Sequence, residues 1–128
     1  MSKLIFVVDD NDSNLTLAAM TLEDDYRVLT MPSGAKMLAL LEKKQPDLIL
    51  LDVEMPDMNG LEAIAMLKAD SRFAPIPVVF LTGLEGEALA TFKERALAAG
   101  ACDTVAKPFE SQTLLSAVDK YICVGGAV

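Results

Sequence analysis

Five short apolar runs, at residues 3–8, 26–30, 48–51, 78–81 and 103–106, divide the chain into nearly even blocks. Runs rich in Val, Ile and Leu without polar alternation suit strands buried on both faces, as in a parallel sheet. Between the runs, apolar residues recur at helical spacing. Asp12 or Ser13 is placed to cap a helix running to about Glu23, with Leu15, Ala18, Ala19 and Leu22 on one face. Pro32, Ser33 and Gly34 open a second helix whose face is Met37, Leu38 and Leu41, closed before Pro46. Asn59-Gly60-Leu61-Glu62 has the spacing of a capping box, and Leu61, Ile64 and Leu67 follow it. A fourth helix is expected over 85–99, with Leu89, Phe92, Ala96 and Leu97 on its face and Gly100 just past its end. The run at 103–106 has only Val105 as a strong strand former, but Lys107-Pro108 ends it. Ser111 begins the last helix, with Leu114, Leu115, Val118, Tyr121 and Ile122 together. Gly125-Gly126 reads as a flexible tail or linker stub, so one domain over 1–124 and a tail over 125–128 are expected.

Strict alternation of strand and helix, with no internal repeat or low-complexity tract, predicts an α/β fold with a doubly wound parallel sheet and helices on both faces. In such folds ligands sit outside the carboxyl ends of the strands, where strand order reverses. The unusual polar residues of this chain fall at those ends. Asp9 and Asp10 follow the first strand, Asp52 the third, Thr82 and Gly83 the fourth, and Lys107 the fifth. A turn-forming Asp after an apolar run is ordinary. An acidic loop with one capping Asp accounts for any one of these residues and not for the set.

Composition narrows the chemistry. With 128 residues the chain is long enough for one core that needs no disulfide. Cys102 and Cys123 have no CxxC spacing and are expected as reduced core residues; Met55 and Met58 are likewise expected to pack. A formal charge of −8 repels phosphate backbones and anionic lipid, which argues against direct nucleic-acid binding. The absence of histidine removes Ser-His-Asp and Cys-His catalysis, His-ligated zinc and a phosphohistidine carrier role. The amino-terminal apolar run is too short for a signal peptide or a membrane span, so a cytoplasmic protein is expected.

Three carboxylates meeting in one cleft raise one another's pKa values unless a cation lies among them. All-oxygen ligands with room for water suit Mg²⁺. Lys107 offers a point charge for a phosphoryl oxygen, and the Thr82 hydroxyl and Gly83 amide offer hydrogen bonds to another. Asp52 in that setting is a candidate nucleophile towards phosphorus.

Asp9-Asp10, Asp52-Val-Glu-Met-Pro-Asp-Met-Asn-Gly60, Thr82-Gly83 and Lys107-Pro108-Phe109 together resemble the receiver domains of two-component response regulators, over essentially the whole chain. The resemblance implies a CheY-like, flavodoxin-like sheet of order 2-1-3-4-5. It implies that Asp52 accepts a phosphoryl group from a sensor histidine kinase or phosphotransfer protein, and that the conformational change controls an unknown output domain or protein. Asp10 would then bind Mg²⁺ directly, Asp9 largely through water, and the backbone carbonyl of Glu54 would complete the protein ligands beside Asp52. It further implies a cis Lys107-Pro108 bond and a possible homodimer through helix four, strand five and helix five. The family usually has an aromatic residue where this chain has Thr104, so the usual aromatic switch is not expected in its usual form.

The closest rival reading is an aspartyl-phosphate phosphatase of the haloacid-dehalogenase type. Such enzymes use Asp-x-Asp, whereas this chain has Asp52-Val-Glu54 and no length for a cap. A flavin binder sharing the sheet would meet repulsion from the acidic residues 9–12, and no GxxxxGK[ST] or GxGxxG occurs for a nucleotide.

Overall fold

The computed structural model describes residues 3–126. Strands β1 (Leu4–Val8), β2 (Arg27–Met31), β3 (Leu48–Asp52), β4 (Val78–Thr82) and β5 (Asp103–Ala106) form one parallel sheet of order β2-β1-β3-β4-β5. Helices α1 (Asp12–Leu22), α2 (Gly34–Leu41), α3 (Gly60–Ala69), α4 (Gly86–Ala98) and α5 (Ser111–Gly126) connect and cover the strands. The three central strands are buried at every position, which is why they read as unbroken apolar runs. The edge strands β2 and β5 are only partly covered, so the weak strand signal of 103–106 reflects an edge position.

Successive side chains of a strand face opposite sides, and the core is correspondingly double. Phe6, Val8, Ile49 and Phe80 pack with Met37 of α2, Ile64 of α3 and Phe92 of α4. Ile5, Val7, Leu50 and Leu81 pack with Leu15 of α1 and Leu114 and Val118 of α5. The chain crosses from β2 over α2 to β3 on the far side of β1, so the order reverses between β1 and β3.

Several local expectations needed correction. The cap of α1 is Asn11, not Asp12 or Ser13: its side-chain oxygen accepts the Asn14 N–H at 3.1 Å, which leaves Asp12 in the first turn facing the helix dipole. Strand β2 begins at Arg27, because the Tyr26 N–H donates to the Leu22 carbonyl of α1 at 2.9 Å; the Tyr26 hydroxyl donates to Asp119 on α5. Leu97 is 47% exposed, since α4 buries only Phe92 and Ala96. Helix α5 continues through Gly126, so Gly125 and Gly126 are helical rather than tail; residues 127 and 128 and the Cys123 side chain lie outside the described residues. Cys102 is half-buried against the α1/α5 side of the core. The Asn59/Glu62 capping box forms with both hydrogen bonds, and the Lys107-Pro108 bond is cis.

Gly60 shows how closely α3 enters the sheet. A Cβ there would lie 2.6 Å from Phe80 Cε1 and 3.0 Å from the Val53 backbone, while the Gly60 N–H donates to the Val53 carbonyl at 2.7 Å. Gly60→Ala is expected to cost about 1–3 kcal/mol by overpacking, seen as a melting temperature lower by roughly 4–12 °C. Gly34→Ala meets only the flexible Met58 side chain and is expected to cost less. Equal melting curves for the two variants would show that the helix-sheet approach at Gly60 has slack.

Candidate functional site

Strand register assembles the polar residues. Val8 pairs with Leu51, so Asp9 and Asp52 each stand one step on, at neighbouring strand ends across the point of reversal. Asp52 pairs with Leu81, which puts Thr82 one step beyond it, and Thr82 pairs with Ala106, which puts Lys107 next. The Lys107 N–H donates to the Thr82 carbonyl at 2.7 Å and closes that end of the sheet. Four strands thus deliver one cluster from residues far apart in the chain.

Asp9 and Asp52 are buried and Asp10 is exposed, and one carboxylate oxygen from each lies within 4.8 Å of the others. Lys107 Nζ donates to Asp52 Oδ1 at 2.8 Å and stands 3.6 Å from Asp9 Oδ2. Three carboxylates therefore face one ammonium. Asp52 Oδ2 is buried and has no hydrogen-bond partner. An orphaned carboxylate oxygen inside an acidic cluster is what a hard divalent cation satisfies, so the residues present fit Mg²⁺.

The other members are placed as follows. Thr82 is buried and its hydroxyl oxygen accepts the Leu84 N–H at 3.0 Å, which leaves the hydroxyl hydrogen available. Gly83 is exposed beside it, with nothing within 4 Å of where a Cβ would stand, so the approach to its amide is open. Glu54 points to solvent, but its backbone pairs with Asn59 and its N–H donates to Asp52 Oδ1 at 3.3 Å, holding the 53–60 loop against the site. Asn14 belongs to the cluster although the sequence pattern did not mark it: its side-chain amide donates to Asp9 Oδ2 at 3.1 Å while the Asn11 N–H donates to Oδ1 at 2.9 Å. A polar residue in the first turn of a helix carries no local signal that distinguishes it from a solvated one. Asp57, in the loop after β3, is spent on the N-terminus of α2, where it accepts from Ala35 N at 2.8 Å and Gly34 N at 3.3 Å.

Burial pushes the Asp52 carboxyl up; the Lys107 hydrogen bond opposes this and the Asp9 charge adds to it, for a value of about 6 against 3.8 for an ordinary carboxyl. Partial burial works to lower the Lys107 ammonium, but the Asp52 and Asp9 carboxylates outweigh it and hold Lys107 above its usual value. The folded protein therefore binds the Asp52 proton more tightly than the unfolded chain does. The stability this contributes is fully present below about pH 4 and is lost as pH rises through about 6, where the ionised group costs roughly 3 kcal/mol. In metal-free buffer the parent is expected to lose stability between pH 4 and 7, and Asp52→Asn to lose less and to melt higher at neutral pH. Parallel melting-temperature profiles for the two proteins would refute this account of Asp52.

A family model described as the response regulator receiver domain matches residues 5–119. The response regulator PleD of Caulobacter vibrioides is 38% identical over 119 residues, which make up 92% of this chain and 26% of PleD. Protein PilH of Pseudomonas aeruginosa is 32% identical over 119 residues, 92% of this chain and 96% of PilH. The chain thus spans about a quarter of the first relative and nearly all of the second. Among solved structures, the receiver domain of a Pseudomonas aeruginosa sensor histidine kinase, with a magnesium ion coordinated in its active-site cleft, matches at a TM-score of 0.82 and 29% identity, covering 95% of this chain and 98% of that one. These likenesses support a receiver and give no support to a dehalogenase-type phosphatase. Among the described residues, no helix is long and apolar enough to cross a membrane.

Proposed function

The chain belongs to the receiver-domain family of two-component response regulators, and from that premise we propose that Asp52 is its phosphoacceptor, with Asp9, Asp10, Thr82, Gly83 and Lys107 as the supporting set. Receiver domains work with histidine kinases or phosphotransfer proteins and bind Mg²⁺ at an acidic site. The observation that carries the assignment is the buried Asp52 carboxylate, with one oxygen on Lys107 and the other without a partner.

In the proposed reaction a carboxylate oxygen of Asp52 attacks the phosphorus of a phosphohistidine. An O–P bond forms as the N–P bond breaks, and the electron pair leaves with the imidazole nitrogen, which takes up a proton. Lys107, already beside Asp52, turns its charge to a phosphoryl oxygen. The free hydrogen of the Thr82 hydroxyl and the Gly83 N–H meet a second one. Exposed Asp10, Asp52 and the Glu54 backbone carbonyl would hold Mg²⁺ directly, and Asp9, pinned by Asn11 and Asn14, through water. The ion supplies charge neutralisation for the cluster and for the transferring group. The role is signalling in the cytoplasm, with turnover limited to the protein's own phosphoryl transfer and loss. The test is stoichiometric labelling of Asp52 with Asp52→Asn as control.

The readout surface is proposed to be α4, β5 and α5, which could also pair two copies or meet a separate output domain. Asp103 on β5 ties the three together, accepting from the Tyr121 hydroxyl of α5 at 2.9 Å and lying 3.4 Å from Lys93 of α4. Thr104 is half-buried opposite Phe80, whose ring meets Phe92 of α4 edge-on at 5.4 Å. Threonine is too small to fill space vacated by Thr82, so phosphorylation gains less packing on this face. Amide shifts across 85–121 on adding a phosphoryl mimic are expected to be smaller in the parent than in Thr104→Tyr. Identical, complete shifts in both would remove any special role for Thr104.

A further inference from the structure

Lys36 of α2 and Lys43, just past its end, are left over by the proposed chemistry. Lys36 is in the first turn of α2 and Lys43 is in the turn just past its end, with Ala39 and Leu40 between them in the chain. They rim a groove of about 360 Å³ whose floor is Met31 and the Leu40 side chain, bounded by Thr30 and Pro32, and no acidic residue lines it. Among the described residues neither lysine is in an ion pair, on a chain whose formal charge is −8. Glu42, the acidic residue next along, is turned away to Arg72 at 2.9 Å. The groove runs beside β2, which pairs only with β1 and so presents an open strand edge.

From this combination we infer that the β2–α2 groove is a docking site for an extended acidic peptide segment of a partner protein, with an apolar side chain between two carboxylates. The chemistry selects that occupant. An apolar floor between two unpaired ammonium groups is complementary to an acid-apolar-acid pattern. In an extended strand, side chains two apart face the same way, so an apolar residue can present a carboxylate on either side of it, and lysine side chains are long and flexible enough to meet both. An open strand edge offers backbone hydrogen bonds to a peptide and none to a lipid headgroup. Two lysines also fall short of the clusters of about 4–8 that hold anionic membranes, and the overall charge opposes nucleic acid.

The groove also touches the acidic site through the backbone. Met31, on its floor, accepts the Asp9 N–H at 3.2 Å, so a segment bound along β2 lies one hydrogen bond from the cluster. The surface is distinct from α4, β5 and α5, which lie across the sheet.

The experiment titrates the full chain with the capped peptide Glu-Thr-Leu-Thr-Glu, followed by amide chemical shifts. The proposal expects saturable shifts confined to β2 and α2, affinity that falls with salt, and affinity lower by roughly tenfold or more in the Lys36→Glu/Lys43→Glu double variant. Both lysines are exposed, so the double variant is expected to fold, which its unperturbed amide spectrum elsewhere checks. Absence of shifts at millimolar peptide, or equal binding of Lys-Thr-Leu-Thr-Lys, would overturn the proposal. Saturable binding of decanoate with no response to the peptide would assign the groove to a small anionic amphiphile instead. Concentration-dependent self-association that the double variant abolishes would assign it to a second copy of the chain.

Discussion

With Mg²⁺ and a small acyl phosphate or a phosphohistidine protein as donor, the protein is expected to gain one phosphoryl group per chain, and Asp52→Asn none. The amide in Asn has nearly the shape of the carboxylate but no anionic oxygen to attack phosphorus, so the loss should be complete rather than partial. The neighbours do not offer a replacement. Asp9 is buried with both oxygens engaged by Asn11, Asn14 and Lys107, and Asp10 has no ammonium in ion-pair range among the described residues. Intact-mass spectrometry reads the result, and the label should be lost in alkali as an acyl phosphate is. Lys107→Ala should still be labelled but fail to spread amide shifts from the site to α4 and α5, because it removes the cation now 2.8 Å from Asp52. Equal labelling of Asp52→Asn and the parent would refute the nucleophile. Steady release of inorganic phosphate from simple phosphate esters would instead favour a phosphatase.

Mg²⁺ is expected to raise the melting temperature in proportion to the logarithm of its concentration once above its dissociation constant. Stabilisation follows RT ln(1 + [L]/Kd), about 2.7 kcal/mol at 100 Kd. For a chain of this size that is roughly 10 °C. The source is the charge imbalance of the site: three carboxylates, one ammonium, and an Asp52 oxygen with no partner. Asp10→Ala is expected to abolish most of the rise, since Asp10 is the solvent-facing member of the cluster. Asp52→Asn separates cation binding from general salt effects: it should melt above the parent in chelator and respond less to Mg²⁺. Superimposable parent curves with Mg²⁺ and with chelator at matched ionic strength would eliminate the metal site.

Most of the elements were legible because their determinants are local. The unbroken apolar runs of the central strands, the Asn59-x-x-Glu62 capping box and the stop at Gly100 act over a few residues, and each formed where its pattern stood. Local reasoning failed where a distant group intervened. Leu97 fits the apolar pattern of its own helix, yet α4 buries only Phe92 and Ala96 where it meets the rest of the fold. Nor did any pattern show that Asp57 would cap α2 or that Asn14 would hold Asp9, because both bonds depend on how separate elements come to rest.

By itself the sequence determined the alternation of strand and helix, the double-sided burial of the middle strands and the kinds of chemical group at each strand end. Hydrophobic period and turn chemistry depend on neighbours in the chain, so they can be read from it. Tertiary structure alone decided which strand ends are neighbours, which carboxylates are buried and which oxygen goes unpaired. The Lys107–Asp52 contact joins residues 55 positions apart and exists only because β3, β4 and β5 lie side by side in register. The elevated Asp52 pKa has the same origin, since desolvation and the Asp9 charge act through space rather than along the chain.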